Sequence, residues 1–211
     1  MKNNLAHNHN LKWSRIIIQR RPPPPLSNLV FSTSYPGLGV HGLEDANNKT
    51  VDAFKTAYDH LLNCFPKLSS AAPARVVILS QQGVSSYDDR TQTIYLTREN
   101  LLGHEGVLVH EYAHYLDDTL FSFSLPCATT LFDAMSSATD KLLYGDGVGW
   151  PYCYMPRVPN AIEYIAIVAE GYCTDQCGPT YDYLHNVNNS IALSQRECVE
   201  RLGLSNERRT A

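Results

Sequence analysis

Nothing in this sequence approaches the run of roughly 20 apolar residues that a membrane-spanning helix needs, so no membrane span is expected. The opening stretch "MKNNLAHNHNLKWSRIIIQRRPPPP" also lacks the apolar segment of about 7–15 residues that marks a secretory signal. The expectation is a cytoplasmic protein, or one exported by a route that uses no such signal. There is no clustered basic face either: 17 Lys and Arg stand against 21 Asp and Glu, a formal net charge of −4. Nucleic-acid binding shows as a basic patch, so no nucleic-acid partner is expected. No internal repeat is visible, and oligomeric state leaves no mark. The six cysteines are Cys64, Cys127, Cys153, Cys173, Cys177 and Cys198. Cys173 and Cys177 in "CTDQC" lack the second pair that a structural zinc site would need. Without a secretory signal, all six are expected to be free and mostly buried thiols.

What is present is enough for one ordinary domain. A chain of 211 residues that is 44% hydrophobic can bury a real core without help from metals or bridges. Residues 1–25, Asn-rich and ending in "RRPPPP", read as a flexible tail with a stiff polyproline end. Residues 26–205 are expected to form the domain and 206–211 a short C-terminal tail. In "NNKTVDAFKTAYDHLLNCF", the residues Val51, Phe54, Tyr58, Leu61, Leu62 and Phe65 share one helical face. "ARVVILS" (74–80) and "QTIYLT" (92–97) are short and β-branched, separated by the turn-forming "QQGVSSYDDRT", and read as strands. A helix is expected from about Gly103 to Leu120, and another over "ATTLFDAMSSATDKLLY". The Gly-rich 145–159 cannot be regular structure. "NAIEYIAIVAEGYCTD" resumes helical composition after Pro159 and Asn160, and "NSIALSQRECVERLG" supplies a last helix stopped at Gly203. Strands early and helices late make an α+β domain.

The chemistry sits in "VLVHEYAHYLDD", residues 107–118. On a helix His110 and His114 lie one turn apart on one face, so each can aim a ring nitrogen at a shared point. That suits two corners of a zinc tetrahedron. Glu111 stands about 100° around the helix, where it can take a proton from a zinc-bound water without being a ligand. With 8 histidines and 9 glutamates in 211 residues, random order would produce His-Glu-x-x-His in only ~1% of such chains.

A catalytic zinc takes three protein ligands and keeps an open position. His104 precedes His110 by about 600° of helical rotation, which points it to another face, so it reads as a surface or capping residue. No later histidine stands at metzincin spacing. Asp117 and Asp118 are too close along the helix to be ligands, but either can orient an imidazole from outside. The third ligand is left to "EYIAIVAEGY", where Glu163 and Glu170 share a face two turns apart, about 10.5 Å along the axis. Only one can reach the ion. Carboxylates on an otherwise apolar face are costly to bury unless paired or metal-bound.

"HEYAHYLDD" followed by "NAIEYIAIVAEGY" resembles the zinc peptidases of the Mlc titration factor A family, in the wider gluzincin group that includes the catalytic domain of anthrax lethal factor. The family pattern is a His-Glu-Phe-Ala-His-x-Leu-Asp helix and a later Glu-Phe-Phe-Ala-Val-x-Ser-Glu helix. His110, Glu111, Ala113, His114, Leu116 and Asp117 match the first, and Glu163, Ala166 and Glu170 the second. The two segments cover roughly a tenth of the chain, and residues 1–70 carry none of the likeness. The resemblance implies a zincin-like catalytic domain with one zinc ion on His110, His114 and Glu163, leaving Glu170 for packing or outer-shell pairing. It also implies an oxyanion-stabilising tyrosine seven residues before Glu163. That position here is Pro156, so a two-residue shift would be needed for Tyr154 to serve, with Tyr152 and Tyr172 as substitutes. The implied activity is hydrolysis of peptide bonds in a protein or peptide substrate, with Glu111 as general base. Zincins hold an extended substrate by strand addition, which the likeness assigns to "QTIYLT". The alternative is a catalytically silent, zinc-containing module that binds a protein partner; a metal-dependent hydrolase of a non-peptide amide is a third reading.

Overall fold

The structure, a computed structural model, describes residues 25–66, 68, 73–130, 161–174, 197–198 and 200–203. The expected tails at 1–25 (all but Pro25) and 206–211, the loop at 145–159, and most of the helices expected over 128–144 and 189–203 lie outside the described residues. The chain divides into two compact units, Met1–Val30 and Phe31–Ala211. Of the first, the described part holds a single 3-10 turn, Leu26–Asn28.

The second unit is mixed α and β. Five strands, β1 (Ser32–Tyr35), β2 (Leu38–His41), β3 (Ala74–Leu79), β4 (Ser86–Asp88) and β5 (Thr93–Thr97), form one sheet in the order β1-β2-β3-β5-β4. The three central strands are parallel, and both edge strands run antiparallel to their neighbours. All five residues of β5 are buried, as expected for a parallel strand covered on both faces. The β1–β2 hairpin turns at Pro36-Gly37, where Gly37 has φ +80°. A Cβ there would come within 2.7 Å of the Leu68 carbonyl oxygen, so the turn needs glycine both for its backbone and for space.

Helix α1 (Asn48–Cys64) connects β2 to β3. Its N-cap Asn47 accepts the Thr50 N–H at 2.9 Å, and Phe54, Ala57, Tyr58 and Leu61 face the core. The face is turned slightly from the expected one: Thr50 and Ala57 are buried, while Val51 and Leu62 are only half covered. The Tyr58 hydroxyl donates to the Pro36 carbonyl at 2.8 Å and pins the hairpin to the helix.

The helix expected from about Gly103 to Leu120 runs from Val107 to Phe121, and a short helix that was not expected precedes it. Thr97 caps α2 (Arg98–Gly103) by accepting the Asn100 N–H, the chain then breaks at 104–106, and α3 begins afresh over Val107–Phe121. Nine of the 15 residues of α3 are buried, so it runs through the core with little solvent face. Ser122 and Phe123 both adopt left-handed backbone, φ 49° and 56°, and their N–H groups close the helix on the Asp118 and Asp117 carbonyls, a C-terminal capping pattern. Helix α4 (Ala161–Cys173) packs against α3, burying Ile165, Ala166, Val168 and Ala169.

The expectation of free thiols is corrected. Cys64 pairs with Cys173 and Cys127 with Cys198, at Cα separations of 5.5 and 5.6 Å, within the span a disulfide requires. The last residue of α1 is thereby joined to the last residue of α4. Cys153 and Cys177 lie outside the described residues. Among the described residues, no helix is long and apolar enough to cross a membrane.

Candidate metal centre

Packing α4 across α3 brings Glu163 over the two histidines one turn apart. His110 Nε2 lies 3.3 Å from Glu163 Oε1 and His114 Nε2 3.4 Å from Glu163 Oε2. The imidazoles stand nearly perpendicular, 79° apart with centroids separated by 5.0 Å, so each presents the same nitrogen to one point. His110, His114 and Glu163 form a group that could hold a metal ion, their ligand atoms all within 4.8 Å of one another.

The donor spacing tests the fit. Tetrahedral bonds of about 2.0–2.1 Å put the corners about 3.3–3.4 Å apart, and each imidazole nitrogen stands at that distance from its own oxygen of the carboxylate, His110 from Oε1 and His114 from Oε2. Among the protein groups alone, burial lowers the His110 pKa, but hydrogen bonds to Glu163 and Glu170 and the charge of Glu111 outweigh it and raise it to about 10. Hydrogen bonds from His110 and His114 hold the Glu163 carboxyl far below the ordinary carboxylate range. A divalent ion must therefore displace the proton that these carboxylates hold on His110. Metal uptake at neutral pH is expected to release that proton, and affinity to weaken as the pH falls. Calorimetric titration in two buffers of different ionisation enthalpy counts the protons released; a count of zero contradicts the expectation.

Glu111 is 6% exposed and faces the same cleft, a cavity of about 470 Å³. Burial pushes its carboxyl up, against the pull of His110 and His114, and the backbone N–H of Tyr87 hydrogen-bonds it. That contact places β4 beside Glu111. The strand expected to hold substrate, 92–97, cannot do so: β5 lies between β3 and β4 with both edges paired. The edge strand beside Glu111 is β4; the other edge of the sheet is β1. The approach to β4 is fixed by Asn100 Oδ1, which takes the Ser85 N–H at 2.9 Å and the Thr97 hydroxyl at 2.8 Å. Val84, Val107, Phe123 and Ile162 supply apolar wall to the cleft. The left-handed turn after α3 is what brings Phe123 there, where it packs on Tyr87.

Two expectations about the surroundings change. Neither aspartate after His114 hydrogen-bonds an imidazole: Asp118 accepts the Tyr87 hydroxyl at 2.6 Å. Asp117 accepts a backbone N–H from Leu125 and keeps one buried oxygen with no hydrogen-bond partner. The carboxylate on an imidazole is Glu170, whose Oε2 lies 3.2 Å from His110 Nδ1. His104, expected on the surface, contacts the other oxygen of Glu170 and lines the cleft. Helical rotation misplaced it because it stands in extended backbone, φ −149°, before α3 starts. The glycines at 103 and 106 on either side were the signal. Tyr154 and Tyr152 lie outside the described residues; Tyr172 falls in α4.

The fold is a mixed α/β domain in which two histidines and one glutamate form a group that could hold a metal ion. No protein-family model, curated protein or solved structure matches the chain.

Proposed function

We propose that the chain is a zinc metallopeptidase of the gluzincin type, with a zincin-like catalytic domain, His110, His114 and Glu163 as ligands and Glu111 as general base. The observation that carries the reading is the spacing of the three donors: two imidazole nitrogens at 3.3 and 3.4 Å from the carboxylate oxygens, with Glu111 next to them and outside the set. Zinc, when bound, supplies a Lewis acid that acidifies water and polarises a carbonyl. Glu111 takes the proton of the attacking water onto its carboxylate as the water adds to the peptide carbonyl, then delivers it to the leaving amine. The edge of β4 holds the substrate extended beside Glu111, and the apolar wall excludes water from the far side. The two bridges favour an oxidising compartment, hence an exported chain, over the cytoplasm.

Removing a ligand is expected to weaken zinc binding far more than the roughly 10–100-fold typical of an outer-shell partner. His110→Ala, His114→Ala and Glu163→Ala should each fall in this class by chelator competition. Full occupancy in all three variants would end the ligand assignment. One equivalent of zinc in the purified protein without turnover of any peptide library would leave a zinc-containing binding module in its place.

A further inference from the structure

Glu170 is the most deeply buried charge in the described structure, its side chain 0% exposed. A carboxylate taken out of water is strongly destabilising unless its oxygens find strong partners, so the chain must have a use for it or a tight means of satisfying it. Both oxygens are engaged by histidines from the segment before and within α3: Oε1 by His104 Nε2, Oε2 by His110 Nδ1 at 3.2 Å. The opposite nitrogen of His110 is the one that faces Glu163. An Nδ1–H donated to Glu170 leaves the lone pair on Nε2, the tautomer a metal ligand needs.

The seat for this carboxylate is built into the backbone. Gly106 caps α3 with φ −85°, a conformation any residue adopts, so glycine is not there for backbone freedom. It is there for space: a Cβ at 106 would stand 2.5 Å from Glu170 Cγ and 2.7 Å from its Oε1. The carboxylate thus lies against the first turn of α3, where no side chain caps the helix and the helix dipole favours negative charge.

We infer that Glu170, seated on Gly106 and braced by His104, is the positioning carboxylate of the metal centre, fixing the ring of His110 so that Nε2 meets the ion. The inference rests on the metal site proposed above and adds His104-x-Gly106-x-x-x-His110 as its support. Helix α4 then serves the ion twice, through Glu163 directly and two turns later through the other ring nitrogen of the same histidine.

Chelator competition with zinc, together with the visible spectrum of the cobalt-substituted protein, tests the inference on the full chain. Glu170→Gln keeps the size of the side chain, and Gly106→Ala keeps every ligand while filling the seat. Each is expected to weaken zinc about 10–100-fold and to shift the cobalt bands; His104→Gln should shift both in the same direction by less. A merely structural ion pair would lower the unfolding temperature and leave the cobalt spectrum of the loaded protein unchanged, which would overturn the inference. Should Glu170→Gln fail to fold, the half-exposed His104 and the uncharged Gly106 carry the test. Wild-type protein that binds zinc, with unaltered affinity in these variants, refutes the support alone. Wild-type protein that binds none refutes the metal site as well.

Discussion

Glu111→Gln is expected to keep a full equivalent of zinc and to lose about 10²–10⁴-fold in turnover, the usual contribution of a positioned general base. The two halves of this result have separate causes. Metal is retained because the three donors that converge are His110, His114 and Glu163, and residue 111 is not among them. Folding is retained because glutamine has the same size, in a position only 6% exposed, and its amide oxygen still accepts the Tyr87 N–H that Glu111 accepts now. Turnover is lost because an amide cannot accept the water's proton at neutral pH. Metal analysis and initial rates on a peptide library, run on one preparation, measure both. A fully active variant would remove Glu111 from the chemistry, and a zinc-free one would move it into the ligand set.

The parts legible in the sequence are those whose signal is local. The 3.6-residue spacing of Phe54, Tyr58 and Leu61 marked α1, the apolar runs marked β3 and β5, and the His-Glu-x-x-His pattern marked the face of α3 that meets α4. Strands β1, β2 and β4 escaped because they have three or four residues each, too few for a period of two to show, and β1 is almost wholly exposed. The choice between Glu163 and Glu170 was open for a different reason. Their spacing fixes that they share a face of α4, but which end of that helix crosses His110 and His114 depends on packing between segments far apart in the sequence. In the structure Glu163 falls on the Nε2 side of the histidines and Glu170 on the Nδ1 side of His110. The same distance hid the role of His104, because its partner sits 66 residues downstream. Cysteine connectivity is likewise a tertiary fact: six cysteines permit many pairings, and spacing alone chooses none of them.

Reduction of the bridges is expected to lower stability by about 3–5 kcal/mol for Cys64–Cys173 alone, the range for a native crosslink that closes a loop of around 100 residues. Its partners are 109 residues apart, so it restrains much of the unfolded chain. Cys127–Cys198 spans 71, and loop entropy varies slowly enough with length that its contribution should be only slightly smaller. Against a total stability of about 5–15 kcal/mol for an ordinary domain, loss of both would bring the fold near its limit. Urea unfolding of metal-free protein with and without reductant gives the difference, and the Cys64→Ser/Cys173→Ser double variant isolates the first bridge. The proposed metal site should respond too: Cys173 lies three residues beyond Glu170, so without the bridge α4 is held over the histidines chiefly by its packing on α3. Zinc affinity is therefore expected to fall in the double variant while all three ligands stay in place. A thiol count on denatured, unreduced protein checks the premise. With six cysteines in the chain and four in bridges, at most two (6 − 4) can react; four reactive thiols would show that at least one bridge does not form, and six that neither does.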